Sequence, residues 1–484
     1  MGLTFKRISV ECRNFSPLVP RFFSLCFESA NITMGLIKAR GESNKMKKWI
    51  SLLCSAAMLM VLLAGCGGGN EASGSGDNGG EKVSISIWHN WTGQDAKAVA
   101  MRKIIEDFRA QHPEIEVIDE GLPTDGLKTR LRTVAAADEM PDLFVMWPDA
   151  MTKEFVKGDL LQPINDELDA NPDWKNNFIP NALDGYTVDG KIYSVPMNLA
   201  PSSFIFYNDA LFKKYNVKVP ETWEELETAI QTFNDNGVIP IALGNKANWV
   251  AQSTFFSTVA DRITGTDWFL KAVDQDGAKF TDPEFVEALT TFQKLGEIKA
   301  FQDGFNSIDE TQMMQLYFQG NAAMVVNGGW ALANLVNNAP AEVLDNTHIT
   351  IVPTIPGGKG APDTTSGVVG TGLGVSKKLT GARKEAAMKL FYALAGPDGQ
   401  KATLESSTLV SYNIELDKSK AHPLFVELYD LIQRVKIVPV YDSKLGSATV
   451  EVVNNGLQEL LMGGKAEDIA RKIQDAQAAA VAAN

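Results

Sequence analysis

Downstream of Cys66 the chain has no cysteine; Cys12, Cys26 and Cys54 all lie upstream of it. A body beginning there has no internal disulfide, no thiol nucleophile and no cysteine metal cluster, and must hold itself together by its hydrophobic core. Histidine is almost as scarce. His89, His112, His348 and His422 stand far apart, without the spacing of metal ligands, so no zinc site is expected. There is no Gly-x-Ser-x-Gly elbow and no Walker lysine. Gly370-Thr371-Gly372-Leu373-Gly374 looks superficially phosphate-cradling, but it lacks a strand-turn-helix context and marks a crossover instead. Carboxylates are too numerous to single out an acid/base pair, and no repeat with a period of 20–50 residues is visible. Neither a cofactor nor a metal is expected.

Positive charge is also in short supply. Residues 1–65 hold nine of the 45 Lys+Arg and three of the 59 Asp+Glu, so the rest carries 36 basic and 56 acidic residues, a net charge of −20. Such a chain repels nucleic acid and anionic lipid, and a neutral or cationic ligand is the simpler expectation. What is present near the N-terminus is a basic head, Lys47-Lys48, followed by an apolar run and Leu63-Ala64-Gly65-Cys66. That order reads as a secretory signal over 46–65. Its ending resembles the bacterial lipobox, which implies cleavage before Cys66, lipidation of its sulfur and an extracytoplasmic, membrane-anchored protein. Residues 1–45 then read as an over-called N-terminal extension. Residues 66–81, rich in Gly, Ser, Asn and Asp, read as a flexible tether. The 419 residues from Cys66 onward suffice for two domains with full cores.

Order is expected from about Lys82. Val83, Ile85 and Ile87 alternate with polar neighbours as in a strand, and 95–112 carries apolar residues at helical spacing. A strand at 115–118, a helix at 127–137 and an apolar strand at 142–146 complete a β-α-β-α-β rhythm, which argues for a mainly parallel α/β lobe. A second set follows, with strands at 203–207, 238–243 and 323–327. Thr222-Trp223-Glu224-Glu225 opens a helix as a capping box, and Thr281-Asp282-Pro283-Glu284 is another helix start. Residues 383–394, 423–433 and 450–480 are largely helical in pattern.

Four stretches occur in the order found in one family. They are Ile87-Trp88-His89-Asn90-Trp91 with Phe108 to Pro113, and Met140-Pro141-Asp142-Leu143-Phe144 running on to Gly158-Asp159-Leu160-Leu161-Gln162-Pro163. The third runs from Gly190 to Pro196, then Tyr207 to Lys214, then Pro220 to Leu226. The last is Phe318 to Met324 leading into Gly328-Gly329-Trp330. Together they resemble the extracellular solute-binding proteins of bacterial ABC importers, in the oligosaccharide-binding group that includes maltose-binding protein, across essentially 82–484. The resemblance implies a two-lobe, type II periplasmic-binding-protein-like α/β fold with a hinge and an interlobe cleft. Lobe one would be 82–195 plus 323–375, and lobe two 196–322 plus 376–484. It also implies a monomeric receptor that captures a sugar and delivers it to membrane permease subunits, performing no chemistry on it. Two other readings stay open: a surface glycoside hydrolase working with two carboxylates, and a sensor presenting sugar to a receptor kinase.

A sugar offers hydroxyls around its ring and C–H faces above and below it. A site therefore needs flat aromatics and fixed polar groups, and buried polar groups left unpaired give specificity. In open α/β sheets such sites lie beyond the carboxyl ends of strands. Asn90 and Trp91 follow the first strand, and Trp147 and Asp149 follow the third. The family implies a stacking wall and a hydroxyl partner there, while burial in the lobe is the plainer alternative. Trp88, inside the strand pattern, is assigned to the core. Asp149 matches a ligand carboxylate of maltose-binding protein, but Met146 stands where that relative has a stacking tryptophan, which argues against maltose itself. Asn198, in the first crossover, is either a cleft-floor ligand or a turn former. Trp249 falls where relatives offer an aromatic from lobe two. Trp330 matches the tryptophan that stacks on sugar after a Gly-rich turn, with Gly328 and Gly329 permitting close approach. Tyr441 and Asp442, near Gly446 and Ser447, lie on a late loop that reaches the cleft in relatives.

Overall fold

The computed structural model describes residues 82–93 and 96–483. The expectations for the leader, Cys66 and the tether lie outside the described residues. Among those residues no helix is long and apolar enough to cross a membrane.

Lobe one is built on a four-stranded sheet. Strand Val83–His89 runs parallel to Ile115–Gly121 on one side and to Leu143–Met146 on the other; Gly372–Val375 adds an antiparallel edge next to Leu143–Met146. The period-two alternation sets the register, pairing Ile85 with Val117 and Ile87 with Leu143. All four residues of Leu143–Met146 are buried, as an apolar strand covered on both faces should be. Ile85, Ile87, Leu127, Leu131, Leu373 and Leu390 share one core. Trp88 points to the other side of its strand and is half-buried beneath the Arg130 guanidinium, 4.1 Å from its ring, so it borders the core it was expected to enter.

The sheet of lobe two has the order Thr347–Ile351, Phe204–Asn208, Ala322–Asn327, Ile239–Ala242. Phe204 and Phe206 turn to one side, against Met313, Leu332 and Leu428. Ile205 and Val326 turn to the other, against Trp223, Phe256 and Leu457. The helix Trp223–Asp235 starts with the expected capping box, in which Thr222 Oγ1 accepts from the Glu225 backbone N–H and the Glu225 carboxylate accepts from that of Thr222. The expected 450–480 run is two helices, Ser447–Leu461 and Ala466–Ala482; Gly463 between them has φ +97°, which no ordinary side chain favours.

The strand pairings correct the expected lobe boundaries. Ala322–Asn327 is hydrogen-bonded on both sides within the second sheet, and Thr347–Ile351 forms the edge of that same sheet. Residues 323–351 therefore belong to lobe two. Conversely Gly372–Val375 and the helix Gly381–Ala395 pack into lobe one, so the segment after 376 does not pass straight to lobe two. A short apolar strand carries no mark of which sheet it will join; long-range pairing decides.

A third, small sheet lies at the crossings. Thr364–Val368 pairs antiparallel with Ala200–Pro201 and parallel with Lys436–Pro439. Arg262, 2% exposed, ties Thr364–Val368 to lobe two by donating to the carbonyls of Val352, Ala361 and Thr364. Desolvation lowers its pKa to about 10, so it stays cationic at neutral pH.

Candidate functional site

Between the two lobes lies a cavity of about 650 Å³, lined from both sheets and from the crossings. Each expected tryptophan follows the carboxyl end of a strand: Trp91 after Val83–His89, Trp147 after Leu143–Met146, Trp249 after Ile239–Ala242 and Trp330 after Ala322–Asn327. All four line this one cavity, two from each lobe, together with Asn90, Asn198 and Asp442.

The lobe-two rings form a unit. Trp249 and Trp330 lie 6.3 Å apart between centroids at 54°, and both are half-buried. The Trp330 indole N–H donates to Glu310 at 3.2 Å, and that same carboxylate oxygen accepts from Asn327 at 2.9 Å. Gly328 makes this possible, because a Cβ there would sit 2.1 Å from the Trp330 ring, which folds back over its own turn. Gly329 has no such constraint; a Cβ would make only ordinary contacts with Leu428 and Pro201. Trp249 begins a helical run to Thr264 that contains one π-helical turn, Gln252–Phe256, and Ser253 in that turn also lines the cavity.

Lobe one presents its rings differently. Trp91 is only 3% exposed and is stacked on His89 at 4.7 Å and 19°. Its indole nitrogen is buried and has no hydrogen-bond partner. The expected open wall is thus a ring largely absorbed into the lobe, touching the cavity at its margin. The Trp91 backbone N–H donates to Nδ1 of His89, and burial lowers the pKa of that histidine. Trp147 is half-buried, with the Lys128 ammonium 4.5 Å from its ring centroid. Asn90 lines the cavity and donates to Thr124 Oγ1 at 3.2 Å.

Among the described residues two ion pairs are seen to cross from lobe to lobe. Lys128 of lobe one meets Asp442 of lobe two at 3.7 Å, and Asp149 of lobe one meets Lys444 of lobe two at 2.6 Å. Asp149, expected as a hydroxyl partner, does not line the cavity; its carboxylate is committed to Lys444, and its backbone is held at φ +63° by an N–H bond to the Gly185 carbonyl. Tyr441 is likewise no cavity residue. Its ring is 1% exposed, stacked 4.0 Å from Phe269 in the lobe-two core, because the Tyr441–Lys444 turn directs residue 441 inward and 442 outward. Burial pushes its hydroxyl pKa well up.

Several lining residues were not anticipated. The helix Thr124–Ala136 contributes Asp125, Lys128 and Arg132, and Ser447–Leu461 contributes Val450, Glu451, Asn454 and Gln458 beyond the expected Ser447. Spacings of three and four put each set on one face, a pattern that reads as a solvated helix side unless another wall is known to stand opposite. The Asn454 carbonyl oxygen is buried without a partner. Desolvation raises the Asp125 pKa; Lys128 opposes that shift and Glu451 adds to it from across the gap. Among the described residues no group of His, Cys, Asp and Glu is arranged to hold a metal ion.

The family described as bacterial extracellular solute-binding protein matches residues 92–401. An uncharacterized ABC transporter extracellular-binding protein of Pyrococcus horikoshii is 27% identical over 287 residues, 58% of this chain and 63% of that protein. A multiple sugar-binding protein of Streptococcus mutans is 26% identical over 300 residues, 61% and 68% of the two chains. The match thus spans about two thirds of these relatives' own lengths. Among solved structures, one described under xylan utilization by Caldanaerobius polysaccharolyticus superimposes with a TM-score of 0.75 at 27% identity, covering 81% of this chain and 99% of that one. A chitin oligosaccharide binding protein gives 0.75 at 26% identity, covering 82% and 99%.

Proposed function

This chain belongs to the bacterial extracellular solute-binding proteins, a family of binding proteins rather than enzymes, and from that premise we propose that it captures a neutral oligosaccharide and passes it, unaltered, to the permease of an ABC importer. The observation that carries the reading is a shared gap. Trp147 from lobe one and the Trp249–Trp330 pair from lobe two line the same cavity, with Asn90, Asn198, Asp442 and Asn454 as polar groups between them. Flat rings on opposite walls suit the C–H faces of pyranoses, and amides and carboxylates suit their hydroxyls. The size supports more than one sugar ring, since about 650 Å³ falls within the usual range for drug-sized ligands. The relatives named for multiple sugars and for chitin oligosaccharide point to the same class of ligand.

Binding is a population shift. Ligand that touches both walls favours the closed arrangement over the open one, and the closed arrangement is what a permease would recognise. The lobes are lobe one, 82–197 with about 369–412, and lobe two, the remainder to 483. Cys66 is proposed as the lipidated residue, and the acyl chains as the anchor that keeps the receptor near its permease.

A thermal-shift screen across xylotriose, N,N′-diacetylchitobiose, maltotriose and stachyose tests the reading. A ligand at a hundredfold excess over its Kd stabilises the native state by about 2.7 kcal/mol, so a true ligand raises Tm by several degrees. Chromatography of the recovered sugar should show it unchanged. Melting curves unmoved by every saccharide would overturn the assignment. Retention of a Cys66→Ser chain in the membrane fraction would overturn the anchor.

A further inference from the structure

Asn198 is the one expected site residue whose hydrogen bonds join all three crossing segments. It is 4% exposed and lines the cavity floor. Its side-chain Oδ1 accepts twice from the second crossing, from the Thr371 backbone N–H at 3.2 Å and from Thr371 Oγ1 at 3.0 Å. The one hydroxyl proton of Ser411, on the third crossing, is shared between the Val369 carbonyl at 2.5 Å and the Asn198 backbone carbonyl at 3.2 Å. Flanking bonds continue the staple: Met197 N–H to the Thr371 carbonyl at 2.8 Å and Leu199 N–H to the Leu409 carbonyl at 2.7 Å. The packing is close enough that Gly370, at φ +109°, could carry no side chain; a Cβ would lie 1.7 Å from the Asn198 carbonyl oxygen.

A carboxamide has one acceptor oxygen and two donor hydrogens. At Asn198 the side-chain oxygen accepts two bonds, whereas the amide nitrogen has no hydrogen-bond partner among the described residues. The nitrogen is not among the buried polar atoms that lack a partner, and Asn198 lines the cavity, so its two donors open onto the space where an acceptor can arrive.

We propose that Asn198 is a positioning residue that couples occupation of the cavity to closure of the lobes. Its oxygens fix the three crossings to one another, and its amide nitrogen donates to a hydroxyl or ring oxygen of the bound saccharide. The proposal rests on the saccharide reading above. It goes further in naming the bond through which the ligand reaches the hinge. A turn former would use its side-chain oxygen on nearby backbone and would leave the amide nitrogen without consequence.

The test pairs two variants with hydrogen exchange. Asn198→Asp keeps an acceptor for Thr371 but removes both donors. It should weaken binding of the best oligosaccharide in the screen by about tenfold or more, with exchange of the unliganded chain over 369–373 unchanged. Thr371→Val keeps the donors and removes one staple bond. It should hold affinity to within about threefold while exchange over 196–200 and 369–373 quickens. Wild-type affinity in Asn198→Asp, or equal losses in both variants, would overturn the proposal. Should Asn198→Asp fail to fold, the wild-type chain decides: added sugar must slow exchange over 196–200 and 369–373 together, and no added protection there overturns the coupling. Failure of every sugar with the wild-type chain overturns the functional reading instead. Exchange in unliganded Ser411→Ala then decides this one, where quickening at all three crossings supports the staple and quickening at 408–412 alone overturns it.

Discussion

The two walls of the cleft are made differently. On lobe two, Trp249 and Trp330 are braced from within their own lobe: Glu310 holds the Trp330 indole, Asn327 holds Glu310, and Gly328 leaves room for the ring. On lobe one, Trp91 is spent against His89, and Trp147 shares its surroundings with Lys128, which itself reaches across to Asp442. One wall is preorganised for a ligand; the other directs much of its polar chemistry at the opposite lobe. Preorganised groups lose little freedom on binding and contribute most to affinity. The difference teaches that lobe two should receive the ligand and lobe one should close over it.

The sharpest way to break this comparison is to remove one ring from each wall. Trp330→Ala should cost about 2 kcal/mol or more of binding, roughly 30-fold in Kd, as a central aromatic anchor does. Trp147→Ala should cost nearer 1 kcal/mol, since its ring already has a lysine beside it. Calorimetric titration of both variants checks the order, and equal losses would mean the walls are equivalent. Next in size, Gly328→Ala forces the Trp330 ring from its place. Roughly 1–2 kcal/mol of affinity should go, while far-ultraviolet dichroism stays that of the wild type.

The crossing ion pairs come third. Their side chains are between 16% and 28% exposed, so each pair merits about 0.5–1 kcal/mol. The double variant Asp149→Asn, Asp442→Asn should enlarge the radius of gyration of the unliganded chain in X-ray scattering. An unchanged radius would mean the pairs do not hold the lobes. The smallest effect belongs to His89. Burial holds its folded pKa below the ordinary histidine value, so neutral His89 adds stability that is present above that ordinary value and is lost as pH falls through the folded one. His89→Phe should flatten the decline of Tm between pH 7 and pH 5, and an equally steep decline would place the acid sensitivity elsewhere.

How much was legible in the chain depended on the range of the information. Alternation at Val83, Ile85 and Ile87 and the capping box at Thr222 are local signals, and both produced the expected elements. The positions of Trp91, Trp147, Trp249 and Trp330 were legible because each follows a strand, and strand ends gather at one edge of a sheet. What those residues touch was not. Trp91 met a histidine two positions earlier, and Asp149 met a lysine 295 residues away. Tyr441 looked like a loop aromatic because the Phe269 ring that stacks on it comes from a distant helix. The strand Ala322–Asn327 has no local feature that assigns it to either sheet. The helix faces carrying Asp125 and Asn454 read as solvated until a second wall stands opposite.

The two interlobe pairs are crossed in sign: each lobe gives one lysine and one carboxylate. Neither pair depends on the overall charge of a lobe; each attracts only at short range and in one registration. Mobile ions weaken such contacts as the Debye length shrinks, from about 10 Å at 0.1 M to about 3 Å at 1 M. The attraction that these two pairs supply between the lobes should therefore be smaller at about 1 M salt than at about 0.1 M.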